Sequence, residues 1–197
     1  MNDIERYDNP VNSDASATDV RYREALDCIE KQQFEEALAI LEQLASESPR
    51  EARVLYARAV ANLSTGEFRK AGTDLLRTIA INRNFLPAYK HLGFVQLTMG
   101  KEDSAIRTLK KALALDPGFA GAYSVLGDVY MDCGEHEKAL EAFNKALELE
   151  PDHAEPHCKL AMYYLSRGDM KGLRREYDIL RHLDTFMAEQ IANLLPE

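Results

Sequence analysis

The residues with the clearest chemical potential are His153, His157 and Cys158. Imidazole and thiolate are the common ligands of Zn2+, and two histidines four apart on one helical face would supply half of a tetrahedral site. Here the pair follows Pro151, which places His153 in a turn and off the face that carries His157. No His-Glu-x-x-His pattern accompanies them, and no metal is assigned. Asp128 and Asp132 are also four apart, a spacing that sets two carboxylates on one face for acid–base work. No His, Lys or glycine-rich loop joins them in sequence, so they read as solvated or partner-facing. Arg167, Lys171, Arg174, Arg175 and Arg181 fall mostly on one helical face, an arrangement suited to an anion. Asp169, Glu176 and Asp178 are interleaved among them, which reads as a solvated face of mixed charge. The glycines form neither G-x-G-x-x-G nor a phosphate loop. With no catalytic constellation in view, neither an enzyme nor a cofactor is expected.

Three cysteines, Cys28, Cys133 and Cys158, make an odd set with no C-x-x-C pair, as expected of reduced thiols in a cytoplasmic protein. Cys28 falls at an inward-facing slot, and Cys158 lacks an evident activating base. The net charge of −9 repels phosphate backbones and anionic membranes at long range, so no nucleic-acid partner is expected. The first twenty residues hold no apolar run of about 7–15, so a signal peptide is not expected. No stretch of about 18 apolar residues exists to insert in a membrane. At 46% apolar the chain can bury a core.

The elements that position these side chains follow from a 34-residue period. Gly66, Gly100, Gly134 and Gly168 keep that spacing, and Gln32 occupies the slot one period before Gly66. Ala37, Ala71, Ala105 and Ala139 recur five residues later, and Leu41, Leu75, Leu109 and Phe143 four after those. Tyr89, Leu92, Gly93 and Gln96 follow the i, i+3, i+4, i+7 rule of one helical face. Small residues at fixed points let two helices approach closely. The turn glycine ends a first helix in the left-handed conformation. Glu102, Glu135 and Asp169 are expected in the first turn of the second helix, where the dipole favours acids. Pro117 and Pro151 stop that helix. Period-two alternation is absent. The spacing predicts five units, 18–51, 52–85, 86–119, 120–153 and 154–187, each a pair of helices of about 14 residues.

The chain resembles the tetratricopeptide repeat family. The matching residues are Tyr89, Leu92, Gly93, Ala105, Leu109, Ala112 and Pro117 in the third unit. In the fourth they are Tyr123, Leu126, Gly127, Tyr130, Ala139, Phe143, Ala146 and Pro151. The resemblance spans about residues 18–187. It implies an all-α fold, a right-handed superhelical α-solenoid of about five helix pairs. Arg21 and Glu24 replace apolar residues in the first unit, and Leu173 and Thr185 replace Ala and Pro in the fifth, as expected of caps. The amphipathic stretch Met187, Ala188, Ile191, Leu194, Leu195 predicts a C-terminal capping helix, with 188–197 holding its end and a tail. Residues 1–17 are polar, acidic and turn-rich and are expected to be disordered.

The resemblance also implies a concave groove lined by the first helix of each pair. Carried over position by position, it presents Tyr22, Leu26, Arg53, Tyr56, Val60, Leu63, Lys90, Phe94, Leu97, Asp128, Met131, Cys158 and Met162, followed by Leu165. Leu26, Val60, Phe94 and Met162 share one slot of the repeat, which Asp128 interrupts. Two readings stand: an apolar strip open to a partner segment, or core packed under a terminal helix. The Lys/Asn pair with which tetratricopeptide cochaperones hold a C-terminal carboxylate has no counterpart. The corresponding pairs are Tyr22/Leu26, Tyr56/Val60, Lys90/Phe94, Ser124/Asp128 and Cys158/Met162. Net charges of −5, +4, +2, −6 and +1 along the five units would orient a bound segment, or belong to solvated outer faces. The expected function is a protein-interaction scaffold or chaperone-like adaptor that binds a partner peptide or helix, for instance in assembling a larger complex. The alternative is a self-assembling homo-oligomer whose groove takes its own termini.

Overall fold

The computed structural model describes residues 17–195. The expected disordered tail lies outside them except for Ala17, which opens the first helix. Eleven helices and no strand are found among the described residues. The first helices of the pairs are α1 (Ala17–Glu30), α3 (Ala52–Ser64), α5 (Leu86–Thr98), α7 (Ala120–Asp132) and α9 (Ala154–Ser166). They alternate with the second helices α2 (Phe34–Glu47), α4 (Phe68–Ile81), α6 (Glu102–Leu115), α8 (His136–Leu149) and α10 (Met170–Leu183), and α11 (Thr185–Ala192) follows. Two compact units divide the chain, one ending at Lys101 and one starting at Glu102. The first thus holds α1–α5 and the second α6–α11.

The period is written in hydrogen bonds. At each intra-pair turn one N–H reaches back three residues and the next reaches back five, the double closure of a Schellman motif. Gly66 donates to Leu63 O and Glu67 to Asn62 O, and the same two bonds recur at Gly100, Gly134 and Gly168. These four glycines have φ between 65° and 77°. Gln32 makes the same bonds, to Ile29 O with Gln33 donating to Cys28 O, and holds φ 59° despite its side chain. A left-handed conformation costs an L-residue about 1 kcal/mol. The first turn thus keeps the geometry of the other four at a local cost.

Of the three expected first-turn acids, Asp169 has the strongest local role. It stands one residue earlier than expected, at the N-cap of α10, where Oδ1 accepts from Lys171 N at 3.1 Å and Gly172 N at 3.0 Å. Glu135 likewise sits at the N-cap of α8, without a side-chain cap bond, and Glu102 opens α6. Asp184 caps α11 by accepting from Met187 N. The capping helix therefore starts at Thr185, two residues before the apolar stretch that announced it. Leu173, at the slot that is alanine in the other pairs, is fully buried with Leu180, Ala188 and Ile191. Its extra volume fills the space between α9, α10 and the short α11.

Each unit buries its own core. In the first, Leu41, Leu44, Val54 and Leu55 knit α1–α3 together, while Leu75, Phe85, Leu92 and Val95 do so for α3–α5. In the second, Ala139, Phe143 and Leu160 link α8 to α9. Small residues do what their spacing promised. A Cβ on Gly127 would stand 2.2 Å from Cε1 of Phe143, so α7 and α8 meet at this distance only with glycine there.

Polar residues enter the pair interfaces at two equivalent slots. Asp74 on α4 is buried and receives both arms of Arg58 from α3, at 2.7 and 2.8 Å. That hydrogen-bonded carboxylate raises the Arg58 pKa above its ordinary value against the opposing effect of burial. Three periods later Glu176 on α10 is buried against His157 of α9, with Nδ1 2.8 Å from Oε2. The other imidazole nitrogen lies 3.1 Å from Pro151 O, six residues upstream. Tyr89 makes the same backward bond, donating its hydroxyl to Arg83 O at 3.0 Å. His157 therefore replaces a repeat tyrosine, keeps its bond to the preceding turn and adds one to a buried carboxylate.

Candidate functional site

Within each unit the first helices also touch each other, α1 on α3 and α7 on α9. Their side chains facing away from the second helices therefore form a wall in each unit. In the first unit Leu26, Val60 and Leu63 lie half-buried against the core clusters. Lys90 and Leu97 are half-buried, and Phe94, in the slot of Leu26 and Val60, is 39% exposed. Tyr22 and Tyr56 are each 1% exposed. Helical spacing alone could not separate a wall position from a core position one residue around the helix. Arg53 is half-buried, stacked over the Tyr22 ring and ion-paired to Asp19. Asp19 and Arg53 are one period apart, so the same slot in successive first helices carries opposite charges that join them.

The second unit shows the same device. Asp128 on α7 and Lys159 on α9 meet at 2.8 Å, both half-buried. Burial pushes the Asp128 carboxyl above its ordinary range, with Lys159 pulling back. Burial also draws Lys159 down, but the charge and hydrogen bond of Asp128, helped by Glu155, outweigh it and leave its pKa raised. No local sequence pattern sets a cation beside Asp128; the fold brings one from 31 residues away. Asp132 is exposed. Met131 and Cys158 are half-buried against the core, Leu165 likewise, while Met162 in the slot of Phe94 is 45% exposed.

The other chemical candidates take structural places. His157 is committed to Glu176 and Pro151, while His153 is exposed at the N-cap of α9. Among the described residues no group of three His, Cys, Asp or Glu side chains converges as a metal site. Burial raises the thiol pKa of Cys158. Burial and then Glu102, Glu135, Asp132 and Asp103 raise that of Cys133, so both remain thiols rather than thiolates. No described helix is long and apolar enough to cross a membrane.

Helix pairs stacked by recurring Schellman turns and close glycine contacts define an all-α, solenoid-type repeat protein. Family models described as tetratricopeptide repeat match residues 29–92 and 86–119, and one described as TPR repeat matches 127–168. The chain belongs to the tetratricopeptide repeat family. No curated protein sequence matches it. Among solved structures it is similar to TTC0263, a thermophilic TPR protein of Thermus thermophilus. The TM-score is 0.83 at 24% identity, over 90% of this chain and 98% of that one. A second is MamA from Desulfovibrio magneticus RS-1, with TM-score 0.66 at 25% identity over 87% of this chain and 98% of that one. A third is YrrB, described as a TPR protein with an unusual peptide-binding site, with TM-score 0.58 at 16% identity over 91% of this chain and 100% of that one. These similarities identify the fold.

Proposed function

We propose that this chain is a protein-interaction scaffold, or chaperone-like adaptor, whose first-helix walls take a short extended segment or amphipathic helix of a partner protein. The supporting observation is that Phe94 and Met162 share one slot of the repeat and stay 39% and 45% exposed, whereas the residues between the helices of each pair are buried. Large side chains left open on a wall with half-buried aliphatic neighbours suit an apolar anchor, and burying one fully contributes about 1.5–3 kcal/mol. The ion pairs Asp19–Arg53 and Asp128–Lys159 hold neighbouring first helices together along the same walls. The peptide-binding site reported for YrrB agrees with this use of the fold. Assembly of a larger complex in the cytoplasm is the cellular setting we favour.

A crosslinking pull-down from the native cell tests the reading, with Phe94→Glu compared against Leu76→Glu. Leu76 is exposed on α4, away from the wall. The wall reading expects the partner to be lost about tenfold or more with Phe94→Glu and kept with Leu76→Glu, a difference of at least about 1.4 kcal/mol. Equal retention by both variants contradicts it.

A further inference from the structure

The second helices of the first and last pairs are equivalent in the repeat, yet they carry opposite charge. α2 contains no Lys or Arg, and Glu35, Glu36 and Glu42 are exposed on it. A shallow hollow at its start is lined by Gln32, Gln33, Phe34, Glu35, Glu36 and Thr65. α10 exposes Lys171, Arg174, Arg175 and Arg181 against a single exposed acid, Asp178, because Glu176 is turned into the pair interface. A smaller hollow lined by Met170, Lys171, Arg174 and Leu195 carries this basic edge over to the end of α11. There the apolar surface is unusually open. α11 buries Ala188 and Ile191, while Phe186 on its opposite side is 68% exposed and Leu183 and Leu194 are exposed too.

We propose that the α10–α11 surface of one molecule docks on the acidic α2 surface of a second copy, head to tail. Phe186 would supply the apolar anchor, and Lys171 and Arg174 facing Glu35 and Glu36 would set register and encounter rate. A tail-to-tail pairing would set the same basic edges against each other. The charge partner is present on the chain itself, since the exposed face of α2 offers Glu35, Glu36 and Glu42 with no basic residue among them. The contact is heterologous, each copy offering one α10–α11 surface and one α2 surface, so association closes into a ring or continues as an open chain. This surface is separate from the first-helix walls, and its failure leaves the proposed function standing.

Sedimentation velocity and light scattering of the full chain test it, over about 1–200 µM at about 50 mM and 500 mM salt, where screening differs strongly. The expected result is a mass that rises above the monomer with concentration and falls with salt. Lys171→Glu/Arg174→Glu and Glu35→Lys/Glu36→Lys, each checked for unchanged helicity, are each expected to associate at least about tenfold more weakly. An equimolar mixture of the two is expected to regain association. Three results would overturn the proposal: a parent chain monomeric throughout, a mixture no better than its components, or an α2 variant that still dimerises through its tail. Co-sedimentation of the parent with phosphatidylserine vesicles, without self-association, would assign the surface to lipid instead and overturn it as well.

Discussion

The fourth and fifth helix pairs solve the same close-packing problem from opposite sides. In the fourth, the glycine is on the first helix and the ring on the second: Gly127 faces Phe143, which is buried. In the fifth the roles are exchanged. Gly172 on α10 faces Tyr164 on α9, with a hypothetical Cβ 2.5 Å from the ring, and Tyr164 is half-buried. The slots of Gly127 and Phe143 hold Ala161 and Tyr177 there. The fifth pair also replaces the repeat tyrosine by His157 and accepts a buried carboxylate, Glu176. One fold geometry is thus reached by an apolar contact in one pair and by a mixed polar and aromatic contact in the other. What the repeat requires is the approach distance, and the residue that yields space can sit on either helix.

The largest expected effect lies at the polar pair of the fifth helix pair. His157→Leu leaves Glu176 buried without its imidazole and is expected to destabilise the second unit by about 3 kcal/mol. The double variant with Glu176→Leu is expected to recover most of that loss. Urea unfolding of the parent, both singles and the double closes the cycle. Additive losses would show that the two residues do not act as a pair.

The glycines come next. Ala is the better helix former by about 1 kcal/mol, but overpacking costs about 1–3 kcal/mol. At Gly127 the buried Phe143 ring has nowhere to go, so Gly127→Ala is expected to lose about 2 kcal/mol. At Gly172 the more accessible Tyr164 ring can swing toward solvent, so Gly172→Ala is expected to stay within about 1 kcal/mol of the parent. Thermal unfolding of both variants decides, and a reversed order contradicts the assignment of the rigid and the yielding ring.

Charge on the wall of the second unit gives a pH signature. The Lys159 pKa is raised in the folded chain, so its contribution is full below the unfolded value near about 10.4 and fades as pH rises through the folded one. Asp128 is also raised, chiefly by burial. The folded chain therefore holds its proton more readily than the unfolded chain, and ionisation weighs against folding above the ordinary carboxylate range. Lys159→Met removes the restraining cation. At about pH 7 it is expected to cost about 1 kcal/mol, with the deficit shrinking as pH falls toward about 5. A deficit independent of pH would mean that the pair is not what holds Asp128.

The smallest effect is a gain. Gln32→Gly relieves the one left-handed residue that is not glycine among the five intra-pair turns and is expected to raise stability by about 0.5–1 kcal/mol, read as a higher midpoint of unfolding for the first unit. No gain would mean that Gln32 makes a compensating contact.

The fold was legible because backbone geometry needs particular residues at particular places. A left-handed turn calls for Gly66, Gly100, Gly134 and Gly168, a close approach calls for Gly127, and Ala139 or Ala146 can sit where a larger side chain cannot. These demands recur every 34 residues and print themselves on the chain. The polar pairs were not legible, because Asp74 and Glu176 each find a partner on the neighbouring helix that no local pattern announces. Asp19 and Arg53 did carry a signal: opposite charges one period apart on adjacent first helices. The wall was legible only in part. Periodicity names the slot shared by Leu26, Val60, Phe94 and Met162, but the depth of each side chain depends on its neighbours. Tyr22 and Tyr56, close by on the same helices, are core.

The most direct test of the wall is site-specific photocrosslinking in the native cell, with a photoreactive side chain placed at position 94 or 162, or on an outer helix at position 76 or 115. The wall reading predicts a protein adduct from position 94 and from position 162, and none from 76 and 115. Adducts from the outer positions alone, or equally from all four, would contradict it.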